Sequence, residues 1–159
     1  MSIAICPGSY DPVTLGHLDI ITRTSRIFDH VIVAVMINPN KKTSFTVEER
    51  IDLLRRATEG IPGVEVVGFT GLLADYARQK HAHIIIKGVR NMTDFDSEMQ
   101  MARINQGIDP ELETLLLPAR AEFEHFSSTM AREMIRYHQP LEKYVPAPVA
   151  EELMKGCDR

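Results

Sequence analysis

Five short, almost unbroken apolar runs, SIAIC, HVIVAVMIN, VEVVGF, HIIIKG and ETLLLP, alternate along the chain with segments of helical period. A strand that is apolar on both faces has to be covered on both, and a parallel sheet between two layers of helices does this. Alternating strands and helices therefore predict an α/β fold: a doubly wound, five-stranded parallel sheet of βαβαβ type. With 159 residues and 44% hydrophobic content, the chain is long enough for one core and too short for two ordinary ones. One domain over residues 1–159 is expected, and no linker, repeat or low-complexity segment interrupts it.

The helices announce themselves by their ends. LDIITRTSRIF follows the turn after the first run, with Thr14 placed to cap it. EERIDLLRRATEG carries Ile51, Leu54 and Ala57 on one stripe, Thr46 and Glu49 as a capping box, and Gly60 as a stop. GLLADYARQK, DFDSEMQMARIN and STMAREMIRYH read as further helices. The second puts Phe95, Met99 and Ala102 on one face, and Met99 and Met101 read as helix packing. PVAEELMK predicts a short last helix with Pro148 in its first turn.

Charge and cysteine usage narrow the function classes. A net charge of −4 with scattered lysines and arginines argues against a nucleic-acid surface, so an anionic ligand has to be held locally. Cys6 and Cys157 stand far apart with no metal-ligand spacing, which points to reduced thiols rather than a disulfide framework. The apolar start lacks a basic flank and is too brief for a signal peptide or membrane span, so a cytoplasmic location without membrane partners is expected. His81 and His83 have no third ligand nearby and are not assigned to metal.

In an open parallel sheet, ligands bind beyond the carboxyl ends of the strands, where strand order reverses. The chemistry-bearing residues follow the strands: Ser9 and Tyr10 after the first, Lys41 and Lys42 after the second, Gly71 to Leu73 after the third. Lys87 to Arg90 follow the fourth, and Phe126 to Thr129 the fifth, so all five loops are expected on one rim. Lysines, an arginine, hydroxyls and helix N-termini are phosphate donors, and His17 lies in a helix's first turn at the positive end of its dipole. Taken singly, each has a blander reading. His17 can be a partly buried helix-start residue, Lys41-Lys42 a solvated loop, Ser127 to Thr129 ordinary caps, and Lys87 and Arg90 ion-pair partners of Asp94 and Glu98. Their occurrence together on successive strand ends favours a phosphate site.

PGSYDPVTLGH resembles the first signature of nucleotidyltransferases with a Thr-x-Gly-His element, and FSSTMAR resembles their second. The stretches KKTSFTVEER, VVGFTGLLADYA, IIIKGVRNMTDFDSEMQMARIN and PELETLLLPA are similar to those of the bacterial phosphopantetheine adenylyltransferases, along almost the whole chain. The resemblance implies a Rossmann-like nucleotidyltransferase fold and transfer of AMP from ATP to 4'-phosphopantetheine with Mg2+, in coenzyme A synthesis. It further implies a homohexamer and inhibition by coenzyme A. By the same resemblance His17 and Lys41 are catalytic; Ser9, Lys41, Leu73 and Lys87 hold phosphopantetheine; and Ser9, Tyr10, His17, Gly88, Val89, Arg90 and Glu98 contact ATP. The run Phe123, Glu124, His125, Phe126, Ser127, Ser128 and Thr129 completes the nucleotide site. Lys87 stands where arginine is usual, Phe126 replaces isoleucine, and Ser97 stands where an aromatic residue is common.

Rival readings are the same chemistry on another phosphorylated acceptor and a non-catalytic nucleotide sensor. The middle stretches favour the first reading over the former, and His17 together with Lys41 disfavours the latter. A class I aminoacyl-tRNA synthetase shares the histidine signature but needs tRNA-binding domains for which this chain has no room.

Overall fold

The apolar runs become five parallel strands: β1 (Ile3–Gly8), β2 (His30–Met36), β3 (Val64–Phe69), β4 (Ile84–Val89) and β5 (Glu113–Pro118). This is a computed structural model, and it describes residues 1–155; Cys157 lies outside the described residues. The sheet order is β3-β2-β1-β4-β5, all neighbours parallel, so the order reverses between β1 and β4. Six helices connect and flank the strands: α1 (Leu15–Ser25), α2 (Val47–Thr58), α3 (Leu73–Gln79), α4 (Met92–Ile108), α5 (Ser128–Arg136) and α6 (Ala147–Met154). Alternate side chains of the strands feed two cores. One, with Val31, Val33 and Val35, takes Ile20 and Ile21 of α1, Leu53 and Leu54 of α2, Ala131 of α5 and Val149 of α6. The other, with Ile5, Ile32 and Ile85, takes Ala74 and Ala77 of α3.

Several expectations shift at the element ends. β1 continues through Pro7 and Gly8, and β4 through Lys87, Gly88 and Val89, because pairing with β2 and β5 extends the ladder past the apolar run. Of the residues expected in the loop after the fourth strand, only Arg90 lies beyond it. α2 has its capping box, with Glu49 N–H donating to Thr46 Oγ1 at 3.2 Å and Thr46 N–H to Glu49 Oε2 at 2.8 Å. Its buried face is Arg50, Leu53, Leu54 and Thr58, displaced from the expected stripe of Ile51, Leu54 and Ala57.

α4 departs furthest. Asn105 is its one buried residue, while Met92, Phe95, Met101, Ile104 and Ile108 are exposed and Met99 and Ala102 only half-buried. Met101, expected to pack, is 50% exposed. The edge strand β5 likewise exposes Leu115.

Candidate active site

The strand ends meet in a cavity of about 370 Å³ at the β1/β4 switch point. Its lining brings together Ser9, Tyr10, His17, Lys41, Lys87, Gly88, Arg90, Glu98, Phe123, Phe126, Ser127, Ser128 and Thr129. Leu73, Val89, Glu124 and His125 are not in the lining. Leu73 packs on the second core, Val89 ends β4 paired with Pro118, and exposed His125 sits 3.1 Å from Glu124. Four strand-end loops thus share the crevice, and the loop after β3 stands apart.

Thr14 caps α1, and His17 occupies the third helical position of a capping box. His17 N–H donates to Thr14 Oγ1 at 3.3 Å, and Thr14 N–H donates to His17 Nδ1 at 3.0 Å. Because Nδ1 accepts, the neutral ring carries its proton on Nε2, the atom turned away from the cap. Burial, then the charges of Lys87 and Arg90, lowers the imidazole pKa to about 4. The ring is a neutral Nε2–H donor at pH 7, fixed in tautomer and orientation.

Tyr10 supports this ring from beside it. Its φ of 49° lies in the left-handed region, where a non-glycine residue is strained. Its hydroxyl donates to the Cys6 carbonyl at 2.9 Å, and its ring meets His17 edge-on with centroids 5.0 Å apart. Burial pushes the phenol well above its usual range and the Cys6 thiol up to about 12, so neither supplies an anion near neutrality. Gly88 lets α1 press onto β4, since a Cβ there would lie 2.9 Å from Ile20 Cγ1.

The β4 side holds its cations differently. Lys87 Nζ lies 3.3 Å from Glu98 Oε1, and Arg90 makes a two-pronged pair with Asp94 at 2.9 and 3.2 Å. The ion pairs foreseen as the bland reading are present, on residues that line the same crevice. All four side chains keep partial exposure, so an incoming anion can compete with the carboxylates.

The hydroxyls of the second signature serve the frame. Ser127 caps α5 by accepting from Met130 N–H at 3.1 Å, and Ser128 Oγ donates to the Pro12 carbonyl at 2.9 Å. Phe126 stacks on Tyr144 with ring centroids 4.3 Å apart. Sequence reasoning missed Asp11, Arg50 and Arg132. Arg132 donates to the Asp11 carbonyl at 2.9 Å and to Thr129 Oγ1 at 3.0 Å, tying the two signatures together. Its place at the end of FSSTMAR was the available signal.

A switch-point crevice with a fixed neutral donor and cations on both walls is the site of a nucleotidyltransferase. The chain belongs to the cytidylyltransferase-like family, which matches residues 5–134, and within it to the phosphopantetheine adenylyltransferases. It is 50% identical over 150 residues to phosphopantetheine adenylyltransferase of Symbiobacterium thermophilum, covering 94% of this chain and 93% of the relative. It is 44% identical over 154 residues to the phosphopantetheine adenylyltransferase of Psychromonas ingrahamii, covering 97% and 96%. The fold is also that of a bifunctional NMN adenylyltransferase/ADP ribose pyrophosphatase from Francisella tularensis, with a TM-score of 0.77 at 20% identity over 99% of this chain and 50% of that one.

Proposed function

We propose that this chain transfers AMP from ATP to 4'-phosphopantetheine, releasing pyrophosphate and dephospho-coenzyme A, a step of coenzyme A synthesis. The observation that carries the mechanism is the pinned Nε2–H donor of His17 in a crevice walled by Lys41, Lys87 and Arg90. An oxygen of the acceptor phosphate forms a bond to the α-phosphorus as the bond from that phosphorus to the bridging oxygen of pyrophosphate breaks. The acceptor oxygen is already anionic at pH 7, so no general base is required. Catalysis reduces to alignment and charge stabilisation. Cations are required on both sides because two polyanions must approach. His17 donates to a non-bridging oxygen of the α-phosphate, where charge builds in the transition state. In the resemblance, Lys41 and Lys87 hold the acceptor phosphate and Arg90 the nucleotide.

Mg2+ would neutralise phosphate charge when bound. Among the described residues no group of three or more His, Cys, Asp or Glu side chains is placed to hold a metal, so the fit is to an ion carried by the substrate phosphates and water.

The apolar side chains exposed on α4 and β5 support self-association, here proposed as the homohexamer. Sedimentation velocity checks this: a monomer at working concentration rules it out. Among the described residues no helix is long and apolar enough to cross a membrane, and a cytoplasmic location is proposed on that footing. Cell fractionation is the check.

Mass spectrometry after incubation with ATP, Mg2+ and a panel of phosphorylated acceptors tests the reaction. A product with the mass of dephospho-coenzyme A is expected. Adenylylation of nicotinate mononucleotide instead would overturn the acceptor, and binding of ATP without any product would leave a nucleotide sensor.

A further inference from the structure

Lys41 is exposed, on a loop between β2 and α2 whose local backbone bonds are few: Lys41 N–H to the Asn38 carbonyl at 3.1 Å and Asn40 N–H to Asn38 Oδ1 at 3.0 Å. Such bonds shape the tip of a loop without fixing it to the sheet. What fixes it lies at its two ends. At the first, Ile37 N–H donates to the Phe69 carbonyl at 2.9 Å, and Arg50 Nη1 of α2 donates to the Ser9 carbonyl at 2.7 Å and to the Met36 carbonyl at 3.3 Å, joining the ends of β1 and β2. At the second, Asp11 Oδ2 accepts from Ser44 N–H at 2.9 Å and Oδ1 from Phe45 N–H at 2.8 Å, while the Phe45 ring is fully buried.

Asp11 and Arg50 are each only 3% exposed. A buried charge has to be matched by partners, and bonds to ionised groups are shorter and stronger than neutral ones. Arg50 donates to the backbone at the ends of β1 and β2, and Asp11 accepts from the backbone of the Lys41 loop, with Arg132 Nη1 a further 4.0 Å from Asp11 Oδ2. Burst open at either end, the loop would keep its tip and lose its position over the crevice.

We propose that Asp11 and Arg50 are positioning residues that hold Lys41 over the acceptor side of the crevice by pinning the two ends of its loop. This rests on the reading of Lys41 as a cation for the acceptor phosphate. Asp11 lines the crevice, but both its carboxylate oxygens are taken up by backbone N–H groups of the loop, and Arg50 lies outside the lining. Their effect passes through where Lys41 sits, and a displacement of about 1 Å can lower a rate on the order of 100-fold.

The test is a double-mutant cycle of Asp11→Asn with Lys41→Ala, read as kcat/KM for phosphopantetheine, beside calorimetric ATP binding. Asparagine keeps the shape of Asp11 but offers one acceptor oxygen where two N–H groups need one each. Asp11→Asn alone is expected to lower kcat/KM for the acceptor by about 10- to 100-fold, with ATP affinity within about 3-fold. On the Lys41→Ala background its further loss should stay within about 2-fold, because the group it positions is gone. An equal loss in both backgrounds would overturn the proposal and leave Asp11 a general support of the core. Near-normal kinetics of Lys41→Ala alone would instead overturn the role given to Lys41 itself. Should Asp11→Asn not fold, Arg50→Lys run through the same cycle carries the same two outcomes.

Discussion

The first turn of α1 and the β4–α4 corner supply donors to one crevice, yet they are held in opposite ways. His17 is locked by bonds to the backbone and hydroxyl of Thr14, three residues away, and its ring abuts a buried tyrosine. Lys87 and Arg90 are parked on carboxylates of α4, at partly exposed positions. A bond to the protein's own frame persists whatever ligand arrives; an ion pair with a side chain is exchanged for a better anion. Under the proposed function, the donor to the α-phosphate is therefore organised before binding, while the phosphate grip forms on binding. Asp94 and Glu98 keep the cations facing the crevice until then.

Removing the locked donor should do most damage. His17→Ala is expected to lower kcat by about 100- to 1,000-fold, with ATP affinity little changed, as for a donor that matters mainly in the transition state. Steady-state kinetics beside equilibrium ATP binding decide this. Turnover within a few fold of normal would make His17 a helix-capping residue only and erase the contrast.

The same lock predicts a pH dependence of stability. The folded pKa of His17 is lowered from 6.5 to about 4, so below pH 6.5 the unfolded chain takes up a proton that the folded one refuses. Its contribution is whole above pH 6.5 and is lost as pH falls towards 4, by up to about 1.4 kcal/mol per unit. Urea unfolding at pH 7 and pH 5 should show the parent losing roughly 2 kcal/mol more than His17→Asn. NMR of the ring should show the neutral Nε2–H form at pH 6. A ring that titrates near 6.5 would mean the box opens in solution.

On the exchangeable side, Lys87→Ala should raise KM for phosphopantetheine by about 30-fold, or roughly 2 kcal/mol, for one lost charge-assisted contact. kcat should fall as well through misalignment, and Lys87→Arg should stay active because the charge is kept. Kinetics with each substrate varied in turn sharpen the comparison. An alanine variant with ordinary constants would leave the acceptor phosphate to Lys41 or Arg90.

The smallest effect is expected at the parking carboxylate. Glu98→Gln should change folding stability by less than about 1 kcal/mol, the range of a partly exposed ion pair. Chemical denaturation measures it, and a loss of several kcal/mol would show that the Lys87–Glu98 pair is structural rather than exchangeable.

How much of this was legible depended on the distance over which each feature acts. The Thr46–Glu49 box, the Thr14 cap and the five apolar runs are local patterns, and all appear in the structure. The pairing of Lys87 and Arg90 with Glu98 and Asp94 was visible as an alternative, because those charges are close along the chain. The exposure of α4 was not visible: Phe95, Met99 and Ala102 share a helical face, but periodicity does not say whether the covering surface belongs to the same chain. The displaced buried face of α2 has a similar cause, for Arg50 is drawn inward by the carbonyls of Ser9 and Met36.

By itself the sequence determined the strand count, the parallel sheet, the capped helix starts at Thr14 and Thr46 and four of the five loops on the switch-point rim, since apolar period and capping chemistry operate within a few residues. Tertiary structure alone decided that burial and the charges of Lys87 and Arg90 lower the His17 pKa, which rim residues reach the crevice and what pins them. Asp11 meets Ser44 across 33 positions, Arg50 meets Ser9 across 41, and Arg132 meets the Asp11 carbonyl across 121. Contacts of that span exist only once strand order has brought the ends of β1 and β2 and the start of α5 to the same place. No local pattern encodes them, because a buried charge chooses its partners by proximity in the folded chain.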